Sequence, residues 1–373
     1  MHLSYWEKLD LYNTDQIVII GSGIVGLTSA IYLKQLAPDL SVLMIERGKL
    51  PLGASTKNAG FACFGSVSEI LEDLKVMPSS EVISLIRNRY NGLQRLMSIV
   101  ADSEIEFSMD GGYEVFTTDQ EELYDKCMTN IPMCCDLVSE AIGKNDAYQP
   151  ISLPIKINCE SRVIYNPYEG KLNPMKMVRS LIKKAISAGV RIINGIEVSR
   201  VDYNGYCLHT PEGLKVPYSK LLVCTNGFAS RLIKGIEVKP VRNQVLMTEP
   251  INDLSIKGCF HYNKGYVYFR DYGDRILLGG GRNLALEKET TDQFGVTETI
   301  QSYLLNFLTE VLKVDKDIKI DQWWSGILGV GPTKSTIIEE FTKDHFMGVR
   351  MGGMGVALGS EVGYKLASMV VMK

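Results

Sequence analysis

Apolar positions change period several times along the chain, and each change predicts an element. Residues 16–20 form a short β-branched run, and after Gly21–Gly26 the segment LTSAIYLKQLA (27–37) places apolar side chains at helical spacing before Pro38. A second apolar run at 41–45 ends in Glu46, so strand, tight turn, helix and strand follow within the ~30 residues of a βαβ unit. From Ser79 to Ala147 the pattern is mostly helical, as in EVISLIRNRYNGLQRLMSIV (81–100), interrupted by a turn into a strand at DGGYEVFTT (110–118).

The next helix carries its own punctuation: Asn173 as N-cap, Pro174 in the first helical position, apolar Met177, Leu181 and Ala185, then Gly189 past the end. VRIIN (190–194), EVSRVDY (197–203) and two runs within LKVPYSKLLVCTNG (214–227) read as strands, the last fully apolar at 221–224, as in a parallel sheet covered on both faces. Between 238 and 281 several short β segments predict an antiparallel sheet. A helix over 296–311 follows, and the tail from 348 repeats the order of the head: strand, glycine-rich turn, helix, the last starting near Ser360. The expected fold is α/β, a Rossmann-type parallel sheet with helices on its faces (1–75, 152–230 and 322–373), interwoven with an α+β domain built on an antiparallel sheet (76–151 and 231–321).

Composition narrows the class without naming a function. Apolar residues at 45% and charged residues at 22% fit a folded globular chain of 373 residues. A net charge of −3 supplies no basic field, so nucleic acid is not an expected partner and small molecules are. The eight cysteines lack CxxC spacing and read as reduced thiols, including the adjacent Cys134 and Cys135, which read as buried packing. The polar, aromatic start MHLSYWEKLDLYNTD has no signal-peptide pattern, and the apolar stretch 17–33 holds three glycines and is too short to span a membrane; a cytoplasmic protein is expected. No metal-ligand spacing occurs, and the P-loop-like 329–334 lacks the glycine before Lys334.

The strongest motif is Gly21-Ser22-Gly23-Ile24-Val25-Gly26 with Glu46 twenty residues beyond its last glycine. Gly21 permits the tight turn, Gly23 admits a pyrophosphate close to backbone, Gly26 lets helix and strand pack, and the helix start offers N–H groups and partial positive charge. Glu46, followed by Arg47, is placed to accept from a ribose diol and to repel a 2′-phosphate. This pattern binds a dinucleotide and does not by itself separate NAD from FAD. The following loop, PLGASTKNAG (51–60), is rich in small and hydrogen-bonding residues and suits a long cofactor whose phosphates lie nearby.

In order along the chain, IVIIGSGIVGL, GASTKNAG, EVSRV, LLVCTNG, VKPVRNQ, YVYFRDYGDRILLGGG and MGGMGVALGSEVG resemble the D-amino-acid oxidase and glycine oxidase superfamily of FAD-dependent enzymes. The SYWE start with GAST-NAG resembles its γ-glutamylputrescine oxidoreductases. The resemblance implies FAD, contacted by Ser55, Thr56, Asn58, Ala59 and Gly60, by the backbone of Val198 at the adenine, by Thr225 and Gly227, and at the flavin by Gly353, Met354, Gly355 and Val356. It also implies non-covalent binding, since no attachment cysteine occurs in the tail and no histidine closely follows the glycine turn.

On the substrate side, Tyr266, Tyr268 and Arg270 alternate onto one strand face, and an arginine fork with two phenols can grip a carboxylate; the resemblance makes Arg270 the carboxylate-binding arginine. Where glycine oxidases carry an arginine after Trp-x-Gly, this chain has Ile327 and Leu328. The expected activity is oxidation of a small amine or amino acid by hydride transfer from the α-carbon to flavin N5, giving an imine that hydrolyses, with the electron acceptor unassigned. The alternatives are a 2-hydroxy-acid or polyol dehydrogenase, disfavoured because none of the four histidines sits in a motif, and a flavin-binding subunit without turnover. A simple NAD-dependent dehydrogenase would leave the glycine-rich tail without a role.

Overall fold

The computed structural model describes residues 3–152 and 162–373; Cys159 and His2, both counted above, lie outside them. The four residues of Ile17–Ile20 are buried on both faces, as a central parallel strand requires. This strand pairs in parallel with Val42–Glu46 on one side and Lys220–Val223 on the other. Arg191–Asn194 and His345–Val349 extend the parallel set outward, and Ile337–Thr342 adds an antiparallel edge, for six strands in all.

Alternation along these strands feeds two cores. Ile17 and Ile19 pack under the helices Ile24–Leu36, Pro174–Ser187 and Gly355–Val371, while Val18 and Ile20 face the opposite layer, where Leu208 and Val216 belong to a three-stranded antiparallel sheet. The Pro174–Ser187 helix starts as its punctuation predicts: the Asn173 side chain accepts from the N–H groups of Met175 and Lys176, and Gly189 follows at φ +86°. The helix Ser79–Ile99 leans on the C-terminal helix, where Arg95 pairs with Glu361 at 2.5 Å.

The second layer is an eight-stranded sheet, antiparallel except where Cys259–Tyr262 runs parallel to Gly112–Val115. Its order begins Ile320–Val330, Lys239–Thr248, Arg275–Gly280, Val267–Tyr272 and Cys259–Tyr262. The strands Val163–Asn166 and Ile320–Val330 also pair into it, so the sheet crosses the boundaries expected at residues 152 and 322. The helix expected over 296–311 forms as Glu298–Asn306 and continues as a single π-type stretch, Phe307–Val311. In the tail, the helix starts at Gly355 rather than near Ser360. Gly352 and Gly353, both at positive φ, end the turn early enough for the Leu358 N–H to reach the Met354 carbonyl. No helix among the described residues is long and apolar enough to cross a membrane.

Candidate functional site

Two spaces open at the carboxyl ends of the parallel strands, where ligands of such sheets bind. The first, a groove of about 1190 Å³, is walled by Gly21, Gly23, Ile24, Val25, Glu46, Arg47, Ser55, Asn58, Val198, Thr225, Gly353, Gly355 and Val356, all singled out from sequence. Sequence reasoning passed over Asn226, Phe228 and Arg231, which line it too, and took Ile327 and Leu328, also in its wall, only as the place of a missing substrate arginine.

Its chemistry is mostly main chain. The Ile24 N–H at the helix start donates to the Ser55 hydroxyl at 3.0 Å, tying the second loop to the glycine turn. Glu46 is buried; one carboxylate oxygen accepts from the Ser22 N–H (3.1 Å) and hydroxyl (3.0 Å), the other from the Gly48 N–H (2.9 Å). At the far end Arg47 lies over the Phe228 ring, 4.1 Å from its centroid. Asn226, at φ +46°, accepts from the N–H groups of both Arg350 and Met351 at 3.1 Å, which pins the glycine-rich tail beside Thr225.

The remaining residues of the cofactor set act from behind. A Cβ on Gly26 would stand 2.0 Å from the Gly21 carbonyl oxygen, and one on Gly227 would stand 2.5 Å from that of Leu328. At Gly60, φ +76°, an added Cβ would stand 2.1 Å from the Leu172 carbonyl oxygen. Thr56 turns its hydroxyl to the Pro51 carbonyl at 2.9 Å and holds the loop's shape. Ala59 and Met354 line the second space.

That second space, about 1680 Å³, shares Ala54, Asn58, Leu328, Gly353 and Val356 with the groove, so the two are continuous. One wall is the face of the eight-stranded sheet. Tyr268 stands opposite His261 on one neighbouring strand and Gly279 on the other, while Asn243 pairs with Gly326. Phe61 sets its ring edge-on to both His261 and Tyr268, with centroids 5.5 Å apart in each case. The Asn243 amide donates to the Tyr268 hydroxyl at 3.2 Å, and its carbonyl oxygen, buried, has no donor. Burial pushes the Tyr268 phenol up to about 12, with the Asn243 bond and the Arg282 charge opposing it, so it stays un-ionised at neutral pH.

Tyr266 and Tyr268 both line this cavity, but Arg270 does not. Its Nε donates to the Ala59 carbonyl at 2.5 Å, Nη2 to Leu172 at 3.1 Å and Nη1 to Asp271 at 3.3 Å. Burial draws its pKa down, and Gly60 and Leu172 cover the strand at this point, so the side chain clips a loop instead of reaching the cavity. Arg282, just beyond the Arg275–Gly280 strand, does line the cavity, with its guanidinium over the Tyr266 ring at 5.6 Å and no hydrogen bond or ion pair among the described residues.

A charged network missed from sequence reaches this cavity through His261 and Lys334. His261 Nε2 meets a Glu169 carboxylate oxygen at 3.0 Å. Burial alone would lower the imidazole pKa, but Glu169, with Glu69 nearby, outweighs it and raises it to about 9. The other Glu169 oxygen accepts from the Phe64 and Gly65 N–H groups. Lys334, in the segment set aside as P-loop-like, lines the cavity and pairs with Asp73 at 2.6 Å. The seven described cysteines are free; burial raises the Cys134 thiol to about 12, in keeping with packing.

Residues 16–369 match the family model described as FAD dependent oxidoreductase, the DAO family. The chain belongs to this family. The probable oxidoreductase OrdL of Rhizobium meliloti (strain 1021) is 22% identical over 380 residues, covering 96% of this chain and 83% of its own length. In fold, this DAO-family chain is similar to the L-proline dehydrogenase from P. horikoshii (TM-score 0.76, 18% identity, 97% and 94% of the two chains). It is also similar to the L-α-glycerophosphate oxidase from Mycoplasma pneumoniae with FAD bound (TM-score 0.74, 14% identity, 97% and 96%). The cofactor is FAD, and the groove fits it. Thr225 keeps a buried hydroxyl without a partner in the groove wall, Glu46 stands at the end of its strand, and the start of the Gly355–Val371 helix opens where groove and cavity meet.

Proposed function

We propose that this DAO-family oxidoreductase oxidises a small amine or amino acid at the carbon bearing nitrogen, releasing an imine that water hydrolyses. Bound FAD, held without a covalent link by the groove residues, supplies the two-electron acceptor for the hydride. The observation that carries the reading is the pairing, in one cavity beside the groove, of an acceptor without a donor and a cation without a counter-ion: the Asn243 carbonyl oxygen and the Arg282 guanidinium. The first accepts from a substrate N–H, and the second takes a carboxylate in two parallel hydrogen bonds. Tyr266 and Tyr268 frame that position, and Phe61 excludes water from the wall behind them.

His261 favours an amine over an alcohol. Held protonated by Glu169, it has no lone pair with which to take a hydroxyl proton at neutral pH, whereas a neutral amine needs no such base. The deciding experiment mixes the yellow holoenzyme anaerobically with amines, amino acids and 2-hydroxy acids and follows bleaching of the flavin bands. Amines and amino acids bleach it; bleaching by hydroxy acids alone would overturn the proposal. Arg282→Gln raises KM for a carboxylate-bearing amine by roughly tenfold to a hundredfold, the loss of a charged hydrogen-bonding pair. It leaves the melting temperature near that of the parent, because Arg282 holds no other part of the fold.

A further inference from the structure

One arginine deep in the cavity has no role in what has been described. Arg89, on the Ser79–Ile99 helix, is 2% exposed and lines the same cavity as Cys63 and His261. Its Nη1 donates to the Phe64 carbonyl at 2.9 Å, and its Nε–H is buried without any acceptor.

Three other cations that line the cavity are already matched. His261 pairs with Glu169 at 3.0 Å, Lys264 with Glu72 at 3.1 Å, and Lys334 with Asp73 at 2.6 Å. Glu69, which senses the Arg89 charge, turns one carboxylate oxygen to the N–H (3.1 Å) and hydroxyl (3.2 Å) of Ser66. No carboxylate of the described residues lies within ion-pair distance of Arg89, which is unusual because a buried guanidinium is costly unless an anion and acceptors complete its shell. Since the side chain forms part of a cavity wall, an anion that enters the cavity can complete the shell of the guanidinium at the edge that Phe64 does not hold.

We infer that the substrate carries a second carboxylate, remote from the carbon that is oxidised, and that Arg89 binds it. This rests on the amine reading above and narrows it: Arg282 takes the group next to the reacting carbon, Arg89 the distal one, and the substrate is an amine with two acidic ends. Both arginines line one continuous cavity, so a single molecule can engage both. Specificity then comes from Arg89, because a distal carboxamide has no charge with which to complete its shell.

The test compares matched pairs on the holoenzyme: aspartate with asparagine and glutamate with glutamine, in both enantiomers, scored anaerobically by flavin bleaching. In parallel, glutarate and butyrate are titrated as non-reacting ligands against the flavin absorption bands. In the parent protein the acidic member of each pair is favoured by roughly tenfold to a hundredfold in apparent affinity, and glutarate over butyrate likewise. Arg89→Gln brings these ratios to near one, and Arg89→Lys restores part of them. Equal affinities for acid and amide in the parent protein overturn the inference even if the variant does not fold. So does an Arg89→Gln variant that weakens both members alike and keeps the ratio. If no amine bleaches the flavin yet glutarate binds through Arg89, the distal anion site stands and the amine reading falls. If amines bleach it without any preference for the acidic member, the reverse holds.

Discussion

The groove and the cavity are neighbours that recognise their occupants by different means. The groove is built of main chain brought close by glycine, with a few side chains such as Ser55, Glu46 and Asn226 bracing the loops. The cavity is built of side chains from distant segments: Phe61 before a helix, Arg89 on another helix, Asn243, His261 and Tyr268 on three strands, and Lys334 in a loop. A dinucleotide presents the same phosphates and ribose to every enzyme that binds it, so backbone geometry suffices and leaves a compact motif. A substrate is distinguished by its charges, which only side chains can match, and the fold alone brings those together.

The sharpest break between the two regions is expected from Gly26→Ala. The added methyl would stand 2.0 Å from the Gly21 carbonyl, and the helix would have to move off the strand that bears the glycine turn. Such overpacking costs about 1–3 kcal/mol or more, and it misplaces the N–H groups that face the cofactor. The variant should purify without yellow colour and melt well below the parent, while charge changes in the cavity should leave the flavin bound. If Gly26→Ala keeps a full complement of flavin, the groove does not depend on main-chain approach and the contrast fails.

Arg270→Gln comes next, because Arg270 stands between the regions. Losing the bonds to Ala59 and Leu172 leaves two buried carbonyls without donors, each at a cost of roughly 1–3 kcal/mol. Urea unfolding should show that loss, with weakened flavin retention because the clipped loop lines both spaces. The ratio of KM values for carboxylate and uncharged amines should not change. A stable variant with a greatly raised KM for carboxylates alone would return Arg270 to the substrate.

The same contrast governs what could be read from sequence. The parallel strands, the Asn173 cap and the groove residues were legible because each depends on local spacing: a β-branched run, a capping side chain, glycines at fixed offsets. Strand alternation put Tyr266 and Tyr268 on one face, and both line the cavity, but it could not show that the loop at Gly60 and Leu172 crosses over the next residue on that face, Arg270. The start of the last helix was misplaced because the turn closes through two consecutive positive-φ glycines, which spacing alone does not reveal. Arg282, immediately after three glycines, carried a usable signal: a cation following Gly279–Gly281 at a strand end, where side chains meet ligands. Arg89 and His261 carried none, since one is an arginine in a long helix and the other a histidine on a strand, and their partners lie elsewhere in the chain.

A dependence on pH, which leaves the fold and the bound flavin in place, tests whether the cavity's charge pattern is as described. His261 has a folded pKa of about 9 against an ordinary 6.5, so the folded state holds a proton that the unfolded chain releases between those values. The resulting stability is fully present below pH 6.5 and is lost as pH rises through 9, a change of order 3 kcal/mol. Glu114, which burial raises to about 7 against the opposing bonds from Ser68, acts in the same direction but over an earlier window, between its ordinary 4.5 and 7. The two windows overlap only near pH 7, and above that His261 alone carries the fall. Melting temperatures of the parent should fall between pH 6.5 and 9, and His261→Asn should flatten that part of the curve; because the His261 charge also holds Glu114 down, the Glu114 window moves to higher pH in the variant. A parent curve already flat above pH 6.5 would mean that His261 is neutral in the folded protein. It would then carry a lone pair at neutral pH, of the kind that oxidation of a hydroxyl group requires in a base, and the preference for amines would lose its electrostatic ground.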